Sequence, residues 1–337
     1  MRAAVIEEFK QPLAVRDWDV PVPEADEVLI QVEACGVCHS DLSIVDNDWP
    51  QLKRVIKKPL IPGHEVVGRV VKRGESVQHL NVGDRVGVAW LHWSCGACEL
   101  CKEGLENLCP NQTITGASVD GGYAEFIKAK ASHAIKVPEP LKPAEAAPLF
   151  CAGVTVYRAV KNAGAQPGQQ VAIFGVGGLG HLAVQIAKTF GARVIAVDIA
   201  ADKLELAKSL GADEVINAAT EDVLKTLRKM GGAHAAVVTS SAKAAYTQAF
   251  YGVRSAGSLM VVGLPSEEIS FPAILMREIK IRSVATGTRD DLHETLNLAA
   301  AGKIRCLIET SGLDEVNDVL DQMRRGQIRG RVVINRF

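Results

Sequence analysis

The stretch Val171–Gly180, "VAIFGVGGLG", runs from an apolar segment into a glycine-rich turn. Gly175, Gly177 and Gly180 stand in the order G-x-G-x-x-G, with Gly178 and Leu179 inside the turn. Alone the pattern is weak, because glycine turns occur in many unrelated α/β proteins. Here it follows a predicted strand and opens a predicted helix, the context a dinucleotide-binding turn requires. Gly175 would make the tight turn, Gly177 would admit a pyrophosphate close to the backbone, and Gly180 would let helix and strand pack closely. The helix N-terminus would add amide donors and partial positive charge. The next apolar run ends at Asp198. A carboxylate there can accept hydrogen bonds from both ribose hydroxyls and would repel a 2′-phosphate, so NAD is expected rather than NADP. Lys203, five residues on, either reaches the adenosine ribose or is a solvated helix residue.

Working outward, strand-like and helix-like segments alternate. "ADKLELAKSLGADEVINA" reads as helix then strand, and "AHAAVVT", "GSLMVVGLP" and "KIRSVAT" continue the strands. Such alternation predicts a parallel sheet covered by helices on both faces. Upstream the character differs. "EVLIQVEAC", "GHEVVGRVVKRG" and "VGDRVGVAW" are short Val-rich runs between Gly and Pro, expected to form a barrel-like β domain. The change comes near "PEPLKPAEAAPLFCAGVTVYRAV", and the closing "GRVVINRF" resembles a last strand returning to the first domain. The expected divisions are 1–150, 151–288 and 289–337.

With 337 residues the chain is long enough for about two domains. A net charge of −1 argues against a strongly basic nucleic-acid face. "MRAAVIEEFKQPLAV" does not read as a signal peptide, since acidic residues and a lysine break the apolar run. No uninterrupted apolar stretch of spanning length occurs, so neither a membrane nor a nucleic-acid partner is expected. The eight cysteines then point to thiolate metal ligation in the cytoplasm rather than to an oxidised scaffold.

"WSCGACELCKEGLENLC" supplies Cys95, Cys98, Cys101 and Cys109, spaced C-x2-C-x2-C-x7-C. Four thiolates close the tetrahedral shell of zinc and leave no open position, which is the structural kind of site. An iron–sulfur run shares the two short steps but continues C-x3-C-P, and no second set follows here. A nucleic-acid-binding zinc ribbon lacks supporting charge. A separate group lies in "VEACGVCHSDLSIV", "PLIPGHEVVG" and "PLFCAGVTVY". Cys38, His64 and Cys151 could form a Cys2His site with one open position, as catalytic zinc requires. Spacing alone does not select them: His64 could be a satisfied core histidine and Cys151 a small buried hydrophobe.

The motifs "CGVCHSDL", "PLIPGHEVVG", the four-cysteine lobe, "GGYAEF", "CAGVTVY", "GVGGLG" and "GTRDDL" follow one another over nearly the whole chain. In that order they resemble the zinc-dependent medium-chain alcohol dehydrogenases, especially the shorter bacterial and yeast-like branch. The resemblance implies a GroES-like β-barrel catalytic domain joined to a Rossmann doubly wound domain. It implies Cys38, His64 and Cys151 as ligands of a catalytic Zn2+, and the four cysteines of the lobe as ligands of a structural one. Glu65 would lie near the metal, and Asp41 would orient the ligand histidine. Ser40 would contact the reacting alcohol oxygen. His39 would lie near the cofactor phosphates, and Arg331 would reach toward them from the C-terminus. Thr155, Val262 and Leu264 would border the nicotinamide, while Trp49 and Trp90 would wall the alcohol pocket. Cys35 belongs to the motif without being a ligand. One position departs from the pattern: Ser43 stands where many relatives carry a histidine that passes the proton to solvent.

The implied activity is reversible hydride transfer between a primary or small secondary alcohol and NAD, in a homotetramer. Within the family, polyol dehydrogenation would need more hydroxyl-binding groups than the indoles suggest. A zinc-free quinone reductase fits poorly with the metal trio. From another class, a non-enzymatic NAD-binding structural or sensory protein fits poorly with the trio and Ser40.

Overall fold

In the computed structural model, residues 1–49, 54–164, 166–265, 267–271 and 276–337 are described. The apolar run at 170 becomes the strand Gln170–Phe174, whose last four residues are buried, and the helix Gly180–Thr189 follows the glycine turn. Five more strands join it in a parallel sheet. The spatial order is Glu214–Asn217, Arg193–Asp198, Gln170–Phe174, Ala233–Val238, Val253–Val261, Lys280–Ser283. Numbered within this sheet, that is 3-2-1-4-5-6, the doubly wound order that reverses direction beside its first strand. The strand carrying the glycine turn is therefore the one at the reversal. Both faces of the central strands are covered, which explains why they read as continuous apolar runs rather than alternating ones.

Contacts divide the chain into two units. One comprises Met1–Cys151, Thr288–Ala300 and Cys306–Phe337; the other comprises Ala152–Gly287 and Ala301–Arg305. Cys151 thus closes the first unit. The short segment Ala301–Arg305 belongs to the second, where Gln185 both donates to the Arg305 carbonyl and accepts from its amide, each at 2.9 Å.

The first unit is built on the long strand Glu27–Val37. One edge pairs with Glu65–Arg73 along its length. The other edge is shared: Phe126–Lys130 pairs with residues 27–31, and the final strand Arg331–Arg336 pairs with residues 35–37. The C-terminal strand therefore lands beside Cys38. Gly36 faces Val333 on one side and Glu65 on the other. A Cβ on Gly36 would lie 1.9 Å from Glu65 Oε2, so glycine is what makes room for that buried carboxyl. The helix Arg289–Ala300 starts on "GTRDDL" with a reciprocal cap, Thr288 Oγ1 accepting from the Asp291 amide and Asp291 Oδ2 from the Thr288 amide. Arg289 fastens that start to Glu106 in the cysteine lobe, with Nε 3.0 Å from Oε1. None of the described helices is long and apolar enough to cross a membrane.

Candidate active site

Three turns of the first unit bring one cluster together. Cys38 sits between the strand Glu27–Val37 and the helix His39–Val45; His64 precedes the strand Glu65–Arg73; Cys151 follows the 3-10 turn Ala147–Phe150. Ligand atoms of Cys38, His64, Glu65 and Cys151 lie within 4.8 Å of one another, all buried. The Cys38 and Cys151 sulfurs are 3.9 Å apart. A zinc–sulfur bond of about 2.3 Å gives a tetrahedral edge of about 3.8 Å, so the two thiols already stand at the spacing of a metal shell.

The histidine is oriented for the same purpose. Its Nδ1 lies 2.7 Å from Asp41 Oδ1, while its fully buried Nε2 has no hydrogen-bond partner among the described residues. With Nδ1 engaged by the carboxylate, Nε2 is the ring atom available to a metal beside the sulfurs. A buried polar atom left without a partner is costly unless something else fills its coordination. The donor set of two thiols and one imidazole, spaced as observed, fits Zn2+. Asp41 is itself held at every corner. Oδ1 also accepts from the Gly63 amide at 3.2 Å, and Oδ2 accepts from the Cys38 amide at 2.9 Å and the Tyr123 hydroxyl at 3.0 Å. Tyr123 lies in "GGYAEF", quoted above as a motif with no role for its tyrosine; the buried hydroxyl supplies one.

Charge in the cluster is tightly coupled. The contact with Cys151 draws the Cys38 thiol well below the ordinary value, with Arg331 and His64 assisting against burial. That contact and burial push Cys151 up. Burial raises Glu65 to about 7 despite Arg331, whose guanidinium donates to its Oε1. Arg331 is only 5% exposed, and its Nε has no hydrogen-bond partner among the described residues. The guanidinium thus engages Glu65, a partner the sequence did not reveal because it depends on how the last strand lands beside Gly36. Cys35 lies outside both thiol clusters, buried with its sulfur against the backbone at Gly63 and Gly122.

The second cluster holds Cys95, Cys98, Cys101 and Cys109, their sulfurs within 4.8 Å of one another. Sulfur–sulfur separations of 3.5, 3.9 and 4.0 Å match a tetrahedral thiolate shell. Backbone amides point into it: Cys95 N–H donates to Cys109 Sγ and Cys98 N–H to Cys95 Sγ, both at 3.4 Å. The Ala97 and Cys98 amides hold Cys95 down to about 6, the direction that favours a metal-binding thiolate.

In the second unit, Gly175 has φ +91°, a left-handed value suited to glycine. A Cβ on Gly180 would sit 1.8 Å from the Gly175 carbonyl, so close helix–turn packing excludes any side chain. A Cβ on Gly177 would meet nothing within 4 Å, leaving the backbone there open to a ligand. Asp198 clasps the turn, accepting from the Val176 amide at 2.7 Å and the Ala200 amide at 3.0 Å. The turn, its acid and the sheet reversal fit a dinucleotide.

Residues 24–139 match the alcohol dehydrogenase GroES-like domain family, and residues 178–301 match the zinc-binding dehydrogenase family. An alcohol dehydrogenase of Geobacillus stearothermophilus is 50% identical over 99% of both chains. The alcohol dehydrogenase structure from the hyperthermophilic archaeon Aeropyrum pernix superposes with a TM-score of 0.92 at 36% identity, covering 99% of this chain and 100% of that one. Acetophenone reductase from Geotrichum candidum NBRC 4597, solved in complex with NAD, gives a TM-score of 0.89 at 33% identity, covering 100% and 97%.

The chain belongs to the zinc-dependent medium-chain alcohol dehydrogenases. It has the NAD-linked activity of that family, interconverting alcohols with aldehydes or ketones. Within this alcohol dehydrogenase, Trp49 and Trp90 face each other at 5.7 Å between ring centroids, and Trp90 meets the His64 ring edge-on at 4.9 Å. The indole pair therefore abuts a metal-cluster residue. Ser40 and Ser43 are half-buried on the helix His39–Val45, and His39 is exposed at its start. Thr155 is buried in the helix Ala152–Ala163; Val262 and Lys203 are half-buried; Leu264 is 53% exposed.

Proposed function

We propose that this alcohol dehydrogenase acts on primary and small secondary alcohols, using one catalytic zinc held by Cys38, His64 and Cys151 and one structural zinc held by the four-cysteine lobe. The observation that carries the catalytic assignment is the buried His64 Nε2, unpartnered among the described residues, beside two thiols at metal-shell spacing. When bound, zinc supplies Lewis-acid polarisation at the substrate oxygen, and the nicotinamide supplies the hydride acceptor. Asp41 fixes the His64 ring by its 2.7 Å contact, which sets ring direction and ligand basicity. The Ser40 hydroxyl takes the proton leaving the alcohol and passes it on. Ser43 lacks a near-neutral acid–base group, so onward transfer goes through water beside Ser43 or through exposed His39. Glu65, braced by Arg331, stands close enough to the ligands to assist exchange at the metal.

Trp49 and Trp90 exclude water and favour apolar or aromatic alcohols over polyols. The solved relative named for acetophenone supports that preference for ring-bearing substrates. The Asp198 carboxylate favours NAD over NADP, with His39, Thr155, Lys203, Val262, Leu264 and Arg331 as further contacts. A homotetramer is the proposed assembly, which light scattering tests. Initial rates for ethanol, 2-propanol, benzyl alcohol and sorbitol, each with NAD and NADP, test the whole reading. Highest kcat/KM for benzyl alcohol or ethanol with NAD is expected. Preference for sorbitol, or for NADP, overturns the substrate or the cofactor assignment respectively.

A further inference from the structure

We infer that Tyr246 is a positioning residue for the nicotinamide half of the cofactor, acting through the Gly263 carbonyl, an inference that rests on the NAD reading of the parallel sheet. Tyr246 lies outside all the motifs read from the sequence.

Strand order sets the direction in which a dinucleotide lies. Asp198 ends the second strand of the sheet and Gly175 follows the first, so a dinucleotide held at both runs on toward the fourth and fifth strands. Thr239 and Ser240 follow the fourth strand, and Thr239 Oγ1 donates to the Gly175 carbonyl at 2.8 Å. Val262 and Gly263 follow the fifth. The Gly263 amide donates to the Val238 carbonyl at 2.9 Å. A Cβ on Gly263 would collide with the Ser240 carbonyl, so this loop lies flush on the end of the fourth strand. It stands on the side of the glycine turn away from Asp198, where the nicotinamide half of a dinucleotide falls.

Tyr246 sits on the helix Lys243–Gly252, wholly buried in the core that includes Val238, Phe250 and Leu259. A phenylalanine would fill that core as well. What tyrosine adds is the hydroxyl, which donates to the Gly263 carbonyl. Burial pushes this phenol up to about 12, so it remains a donor at neutral pH. Buried phenols seek an acceptor, and here the acceptor belongs to the loop at the carboxyl end of the sheet. Gly263 is thus held twice, its amide by Val238 and its carbonyl by Tyr246. With that peptide fixed, Val262 and Leu264 on either side keep one orientation toward the ring. Hydride transfer depends on holding the ring in one geometry, so the tyrosine acts on the reaction without touching the cofactor.

ADP-ribose carries all of NADH except the nicotinamide, so the two ligands separate the ends of the cofactor. NADH binding is followed by its own fluorescence and ADP-ribose binding by calorimetry, on the full-length zinc-loaded protein without alcohol. Tyr246→Phe removes only the hydroxyl. It should weaken NADH about fivefold, through one lost hydrogen bond, and leave ADP-ribose within about twofold of wild type. Gly263→Ala pushes the same loop off Ser240 from the other side and should reproduce that pattern; it carries the test if Tyr246→Phe folds poorly. Unchanged NADH affinity in Tyr246→Phe overturns the inference. So does parallel weakening of both ligands with a lowered melting temperature, the mark of a merely structural tyrosine. A wild-type protein that binds neither ligand overturns the NAD reading itself, and the inference with it.

Discussion

Asp41 takes four donors on two oxygens while wholly buried, and this one carboxylate sets the direction of the His64 ring. Asp41→Asn puts an amide where donors converge, so the ring loses its anchor and catalytic zinc should bind about 10–100-fold more weakly. Zinc retention during chelator titration checks this; the four-cysteine site should keep its metal. Tyr123→Phe removes a single donor and should cost only about 1 kcal/mol of stability, measured by denaturant unfolding. At the cofactor, Asp198→Asn removes the repulsive charge and keeps one of the two acceptor oxygens that hold the Val176 and Ala200 amides. The ratio of kcat/KM for NAD over NADP should fall about tenfold or more. An unchanged ratio would show that Asp198 serves only to clasp the turn. At this scale the sequence was legible where chemistry is written into residue type: thiols, imidazole, the acid after the second strand. It was silent about pairings created by distant segments. Nothing local to Arg331 says that it meets Glu65, and nothing local to Tyr123 says that it meets Asp41.

Among elements, the strand–turn–helix at Gln170–Thr189 is the most constrained. Gly180→Ala drives a Cβ to 1.8 Å from the Gly175 carbonyl, which is backbone and cannot swing away. A cost of at least about 2 kcal/mol is expected, together with weaker NAD binding. A melting temperature and NAD affinity equal to wild type would refute the packing role. Strand and helix identities in this half were readable because buried parallel strands are uninterrupted apolar runs and glycine marks each turn. The first unit was less legible. Its strands were recognisable, but the division of one edge of Glu27–Val37 between Phe126–Lys130 and Arg331–Arg336 depends on a register fixed by tertiary packing.

For the whole molecule, two buried imidazoles in the first unit make stability fall toward acid pH. Burial holds His92 and His133 down to about 4 each; Lys130 and Lys128 add to this at His92, and Arg289 at His133. The unfolded chain protonates them near 6.5, so between about 6.5 and 4 the unfolded state binds more protons and stability rises with pH. The stabilisation is complete above about 6.5 and shrinks as pH falls; each group removes about 2 kcal/mol by pH 5. Denaturant titrations at pH 8 and 5 should compare wild type with the double His92→Gln, His133→Gln variant, which should lose about 4 kcal/mol less than wild type over that interval; Glu65, raised to about 7, acts in the opposite sense but equally in both proteins. The overall architecture was the most legible feature, because seven motifs in one order carry it. The four-cysteine cluster was legible in its spacing alone, whereas Cys38, His64 and Cys151 lie on separate segments, were implied only by the resemblance, and are brought together by the fold. Anaerobic metal analysis coupled to NAD-dependent alcohol turnover tests that placement most directly, comparing wild type, Cys38→Ser and metal-stripped protein. Two zinc ions per chain are expected in wild type, one for each cluster. Cys38→Ser should retain one and lose turnover. Robust turnover by wholly metal-free protein, or full zinc content and activity in Cys38→Ser, would contradict the account.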